Sequence, residues 1–159
     1  MTKRLAKALR RIARRGARDE RGTQLVELAI VLPIMILLFG AVAEFGRFFY
    51  TYATLAKAAR AGARYATTRP FYGTDVAQAQ SVAAFGDAAA GCSGTPVLQG
   101  LGCANVDIKQ GTSGGVQTVT AKIVGYQYQP ILDLGKLTGN SNISLKIDVS
   151  PSVTMRYVY

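Results

Sequence analysis

Histidine and tryptophan are both absent from this 159-residue chain, and cysteine occurs only twice. Without histidine there is no imidazole for acid–base catalysis near neutral pH, no Ser/His or Cys/His nucleophile pair, and no His-ligated metal site. Two cysteines alone do not make a structural zinc site, and Cys92 and Cys103 are spaced too widely for a C-x-x-C redox pair. Acidic residues are scarce as well, nine against 19 lysines and arginines. The isolated carboxylates Asp75, Asp107, Asp133 and Asp148 read as caps and solvated faces, because nothing in the sequence brings two of them together. The composition points away from an enzyme: no catalytic residue, cofactor, metal or small-molecule substrate is expected.

One further absence organises the chain. From Leu28 to Ala43 there is no charged residue, and between Leu25 and Phe45 the only charges are Glu27 and Glu44. As a helix, Leu25 to Phe45 would be about 32 Å long, the thickness of a bilayer's hydrocarbon core. The stretch is therefore expected to cross a membrane at about residues 25–45. A secretory signal peptide is the rival reading, but its apolar region is shorter and ends at a small-residue cleavage site, whereas this one runs on into more helix-forming sequence. Helix is expected over 23–68, with Pro33 removing the hydrogen bond to the Ala29 carbonyl and bending the helix inside the membrane, a defect neighbouring helices compensate. Glu44 and Arg47, three residues apart, are candidates for an ion pair at the outer membrane boundary.

The net charge of +10 is concentrated at one end. Nine of the basic residues, Lys3 to Arg21, precede the apolar run, and without residues 1–22 the balance falls to ten basic against seven acidic. Basic residues beside a span orient it, so 1–22 reads as a basic leader in the cytoplasm, with Leu5, Leu9 and Ile12 forming an apolar stripe suited to a membrane surface. Nucleic-acid binding is not expected, because a basic patch alone is non-specific and no aromatic residues are interleaved with this one.

Glu27 is the odd residue, a carboxylate at the edge of an apolar run where an unpaired charge is costly. Its setting, Gly22 followed by Thr-Gln-Leu-Val and then Glu27, after basic residues and before apolar helix, resembles the processing site of type IV prepilins and pseudopilins, where the chain is cut after the glycine. Cleavage after Gly22 would place a cationic amine on Thr23, one helical turn from Glu27, so that the two charges could neutralise each other within or between subunits. Further on, VELAIVLP, FG and EFGRFFYTYATLAKAARAGARYA follow in the order and spacing of TadE-like proteins, the minor pilins of the tight-adherence pilus. The resemblance covers Gly22 to Tyr65, with Leu28 standing where an aromatic residue commonly follows the glutamate. It implies a pilin-like protein of the bacterial inner membrane, single-pass with its N-terminus in the cytoplasm, whose partners are a prepilin peptidase, other pilins or minor pilins and the pilus assembly platform. An uncleaved, membrane-anchored assembly or scaffolding factor is the alternative.

Residues 69–159 are expected to form a small α+β domain outside the cytoplasm. Ala59 with Ala63 and Ala58 with Gly62 place small residues four apart, a surface for close helix approach that suits either a neighbouring subunit or packing against the chain's own sheet. Arg69-Pro70 should end the long helix. Thr74 or Asp75 is positioned to cap a short second helix through about Ala90, with Val76, Ala79, Val82 and Ala83 at helical spacing. Cys92 and Cys103 flank a Gly/Pro-rich loop in this extracytoplasmic part and are expected to be disulfide-bonded. Beyond Val106 the apolar period becomes two: Val106 and Ile108; Val119, Ala121 and Ile123; Ile143, Leu145, Ile147 and Val149; and Val153, Met155, Tyr157 and Tyr159 after Pro151. This predicts a three- to four-stranded antiparallel sheet, with Pro151 marking a bulge or an edge. Pro130 to Leu137 reads as a semi-apolar connection, and Asn142-Ile143-Ser144 as an unmodified turn despite its sequon pattern.

Overall fold

The computed structural model describes residues 20–131, 139 and 146–159. The leader up to residue 19, the connection over 132–137, the turn at Asn142 and the strand residues Ile143 and Leu145 lie outside the described residues. The chain divides into two compact units, Met1–Ala43 and Glu44–Tyr159.

Helix α1 covers Glu20–Thr67 and continues through Pro33. Its sequence is rich in alanine, leucine and other strong helix formers, and its glycines are too isolated to stop it. In the part before Glu44 the large apolar side chains, among them Leu28, Ile30, Val31, Leu32, Ile34 and Leu37, are exposed in every direction around the helix. A helix that is apolar all round requires an apolar environment on every side.

The second unit starts at Glu44 and so includes the half of α1 from Glu44 to Thr67. Here the buried residues of α1 are Leu55, Ala58, Ala59, Ala63 and Ala66. Helix α2, Gly73–Phe85, has its own buried positions at Ala79, Ser81, Ala83 and Ala84 and meets α1 at Gly62. At Gly62 an added Cβ would stand 2.9 Å from the Ala83 Cβ and 3.0 Å from the Ala79 carbonyl oxygen. Small residues on both helices thus permit near backbone contact, and the alanine stripe is covered by the chain's own domain. A Tyr65 hydroxyl to Gln78 Oε1 bond of 2.8 Å ties the same two helices at their edge.

Two details of α2 differ from the sequence expectation. Neither Thr74 nor Asp75 caps it; the cap position is Tyr72, which makes no side-chain bond, and its carbonyl accepts from Val76 N. The helix also stops at Phe85 rather than near Ala90, because Gly86 takes the left-handed conformation, φ 78°, and returns its N–H to the Val82 carbonyl. The alanines that looked like a continuation form a separate 3-10 turn, Ala88–Ala90, capped by Asp87 through a 2.9 Å bond to Ala89 N.

The sheet has the order β1-β2-β3 and is antiparallel throughout. β1 (Val106–Ser113) and β2 (Val116–Ile123) form a hairpin whose two turn residues, Gly114 and Gly115, have φ of 58° and 77°. Two consecutive positive φ values match the right-handed strand twist, and glycine adopts them without a Cβ clash. Val106, Ile108, Val119, Ala121 and Ile123 are buried as their alternation requires. β3 (Ser152–Arg156) is an edge strand beginning directly after Pro151, and its odd-numbered side chains Val153 and Met155 are the more buried ones. Residues 146–149, expected to continue a strand, make only a bridge between Asp148 and Gln127. Val149 is buried there but Ile147 is exposed, so the two do not share one covered face.

Candidate functional site

Gly22 and Thr23 lie within α1, and a Cβ placed on Gly22 meets nothing within 4 Å. Thr23 and Glu27 are exposed and one turn apart on the same side of the helix. Glu27 has no hydrogen-bond or ion-pair partner among the described residues, and Thr23 is here an ordinary mid-chain amide. The geometry has the spacing an amine–carboxylate pair would need.

Glu44 behaves differently. It is only 7 % exposed, although the residues just before it in the chain are open. Its carboxylate Oε1 accepts the Tyr128 hydroxyl at 2.5 Å and the Ile131 amide N–H at 3.2 Å. The Tyr128 ring packs edge-on against Phe48, with centroids 5.4 Å apart. Burial is the main cause that pushes the Tyr128 hydroxyl up to about 12, the bond to Glu44 and that residue's negative charge add to it, and the Arg47 charge opposes it. Arg47, the partner suggested by helical spacing, is therefore close enough to influence the cluster, while the donors on the Glu44 carboxylate come from 84 and 87 residues further along. Sequence reasoning did not find Tyr128 or Ile131. The available signal was a carboxylate closing an apolar run, which needs donors, together with the tyrosine-rich YQYQP segment able to supply one.

The segment carrying Tyr128 is held from both sides. Tyr128 N donates to the Ile147 carbonyl and Val149 N to the Tyr126 carbonyl, while the Tyr126 hydroxyl donates to Gln99 O at 3.1 Å. The loop containing Gln99 is closed by a disulfide between Cys92 and Cys103, with Cα atoms 5.7 Å apart. Ser81 of α2 accepts from Cys92 N at 3.5 Å while donating to Asp87 O at 2.7 Å, and Val97 N donates to the Ala84 carbonyl, which fastens that loop to α2. A hollow of about 770 Å³ lies beside this assembly, bounded by Arg47, Thr51, Gln99, Tyr126, Gln127 and Asp148 among others. Its lining mixes one cation, one carboxylate and several amides.

Among the described residues, α1 is the one helix long and apolar enough to cross a membrane. A family model described as TadE-like protein matches residues 22–64. Searches of curated proteins and of solved structures return no match. The matched stretch begins at Gly22, spans the exposed apolar helix, includes Glu44, and ends in the alanine-lined half that packs on α2. Over residues 22–64 the chain is similar to TadE-like proteins, and the similarity covers the segment from Gly22 to Arg64.

Proposed function

We propose that this protein is a minor pilin or pseudopilin of a tight-adherence type IV pilus, cut after Gly22 by a prepilin peptidase before it takes part in pilus assembly. The observation that carries the reading is the TadE-like match that starts at Gly22 and covers an exposed apolar helix. The role is structural rather than catalytic. Before assembly the protein sits in the bacterial inner membrane as a single-pass protein, its basic N-terminus in the cytoplasm and its disulfide-closed domain outside, in keeping with the excess of basic residues ahead of the span. In the membrane or the filament, Glu27 offsets the amine created on Thr23, either in its own chain or in a neighbour's. Other pilins and the assembly platform would be contacted through the exposed half of α1.

The second reading, an uncleaved anchored assembly factor, draws on the placement of Gly22 and Thr23 within α1, since cleavage has to open helical backbone. Mass measurement of the mature N-terminus separates the two. The expected product starts at Thr23, Gly22→Leu leaves the full-length precursor, and Glu27→Ala is cut normally but is poorly incorporated. A wild-type chain that retains residues 1–22 in cells making the peptidase would establish the scaffold reading instead.

A further inference from the structure

The second unit exposes an unusual amount of aromatic surface at its Glu44 end. Of the five aromatic side chains between Phe45 and Tyr52, only Phe48 is partly covered; Phe45, Phe49, Tyr50 and Tyr52 are 65, 63, 69 and 47 % exposed. Phe45, Phe49 and Tyr52 follow at intervals of four and three residues and so share one face of α1. Ile131 is exposed as well, at 71 %, and its amide bond to Glu44 holds it at the level of Glu44 along the helix.

We propose that this end of the domain, the α1 turns from Phe45 to Tyr52 together with the loop at Gln129–Ile131, is a membrane-contacting surface seated in the headgroup layer of the bilayer. The inference rests on the reading that the preceding apolar segment spans that bilayer. Phe45 follows Ala43 by two residues, so covalent continuity delivers this surface to the point where the charge-free run ends. The headgroup layer adds roughly 5 to 7 Å on each side of the hydrocarbon core. Phe49 and Tyr52 lie about 6 and 10 Å beyond Phe45 along the helix, which places the first inside that layer and the second just outside it, with its side chain leaning back toward the helix N-terminus. Aromatic rings with a polar tip favour this region, and Arg47 can extend its charge toward phosphate while its stem stays in apolar surroundings.

A flat interface selects height rather than helix face. The Ile131 loop therefore meets it together with the aromatics even where the two project in different directions. The bonding of Glu44 fits the same picture. In bulk water a carboxylate on a helix surface is solvated without help, but at the edge of a hydrocarbon layer an open charge is costly. The Tyr128 hydroxyl and the Ile131 amide supply donors from the domain itself at that depth. At the opposite end of the unit, Val158 N bonds to the Thr67 carbonyl and Tyr157 to the Arg69 carbonyl. That end is 23 helix residues, or roughly 34 Å, from Glu44.

The absence of tryptophan makes a direct test available, because any introduced tryptophan is the sole indole emitter. Full-length Ile131→Trp, Phe49→Trp, Leu37→Trp and Tyr159→Trp variants would be reconstituted into phosphatidylcholine vesicles, with and without bromine on the acyl chains. Two positions of bromine, near the headgroup and near the bilayer centre, report depth. Ile131→Trp and Phe49→Trp should lose most of their emission to shallow bromine and resist aqueous iodide. Tyr159→Trp should be insensitive to both bromolipids and open to iodide, and Leu37→Trp should be quenched by deep bromine. If Leu37→Trp is quenched while Ile131→Trp and Phe49→Trp respond only to iodide, the membrane-contacting surface is refuted and the spanning helix stands. If Leu37→Trp is unquenched, the spanning reading fails and takes this proposal with it. Protection of Ile131→Trp from iodide that rises with protein density and shows no bromine quenching would assign the surface to a second copy, and would equally overturn the proposal.

Discussion

The two halves of α1 invert the usual relation between side-chain size and burial. Before Glu44 the helix carries leucines, isoleucines, valines and Phe39, and these are exposed; after it the helix carries alanines at the covered positions, and Ala59 and Ala63 are fully buried. What distinguishes them is therefore not hydrophobicity but the surroundings each can accept. A large apolar side chain gains from lipid as readily as from protein, so the first half needs no protein partner. An alanine contributes little area, but it lets a second helix approach until backbones nearly touch, as Gly62 and Ala83 do. The same backbone element serves as an anchor along one length and as the central support of a folded domain along the other.

That contrast is broken most severely by adding bulk on the domain side. Gly62→Leu drives a side chain into Ala83 and the Ala79 carbonyl, and since the nearer obstacles include backbone, the expected cost is about 3 kcal/mol or more. Leu37→Ala, a change of comparable size in the exposed half, should leave the unfolding of the domain unchanged. Thermal unfolding of the two full-length variants in the same lipid nanodiscs, followed by circular dichroism, compares them directly. Equal midpoints would mean that the alanine stripe is not the packing surface described here.

A core of small residues buries limited apolar area, which gives a covalent staple more weight in the domain than in the helix that precedes it. Removing the Cys92–Cys103 bond with Cys92→Ser and Cys103→Ser together should cost about 2–3 kcal/mol for so short a loop. Denaturant unfolding of the double variant measures this. Neither cysteine of the unreduced parent, denatured after isolation from its native compartment, should take up a thiol label; full labelling at both would remove the staple from the account.

The smallest effect sharpens the boundary between the halves. Tyr128→Phe removes one donor from the buried Glu44 carboxylate and should destabilise the domain by about 1.5 kcal/mol near neutral pH. The raised ionisation of Tyr128 also sets a direction with pH. The folded state holds the phenol proton more tightly than the unfolded one, so this contribution is complete below pH 10, the ordinary phenol value, and is lost as pH rises toward about 12. The parent should therefore lose its advantage over Tyr128→Phe across that window. An energy difference between the two that stays constant from neutral pH to 12 would show that the hydroxyl is not buried against Glu44.

Much of this organisation is local and so was legible in the sequence. The charge-free run from Leu28 to Ala43 requires a helix in an apolar medium. The alternation at Val106 and Ile108 and at Val119, Ala121 and Ile123 specifies two strands with one covered face, and the turn that the glycines suggest over Gly111 to Gly115 narrows to Gly114-Gly115 because the first strand runs on to Ser113. With two cysteines in the chain, a disulfide has a single pairing. Resemblance over residues 22–65 found the same stretch that the family model matches at 22–64. The end of α2 was missed because helix propensity ranks alanines 88–90 as continuation, and only the observed backbone of Gly86 shows where the turn is taken.

What tertiary structure alone decided is which surfaces meet. Spacing made the Ala58–Ala63 stripe a close-packing surface but left a neighbouring subunit and the chain's own sheet open; the folded chain places Ala79 and Ala83 of α2 against Gly62, with Ile108 of β1 beside them. Spacing set Arg47 beside Glu44, and the fold adds the Tyr128 hydroxyl and the Ile131 amide as donors to its carboxylate. Periodicity and propensity act over a few turns or one strand, so they determine which face of an element is apolar or close-fitting. The identity of the group that covers that face depends on how loops tens of residues long return the chain to it, and here the turn at Gly86, the Cys92–Cys103 closure and the Gln127–Asp148 bridge set that return.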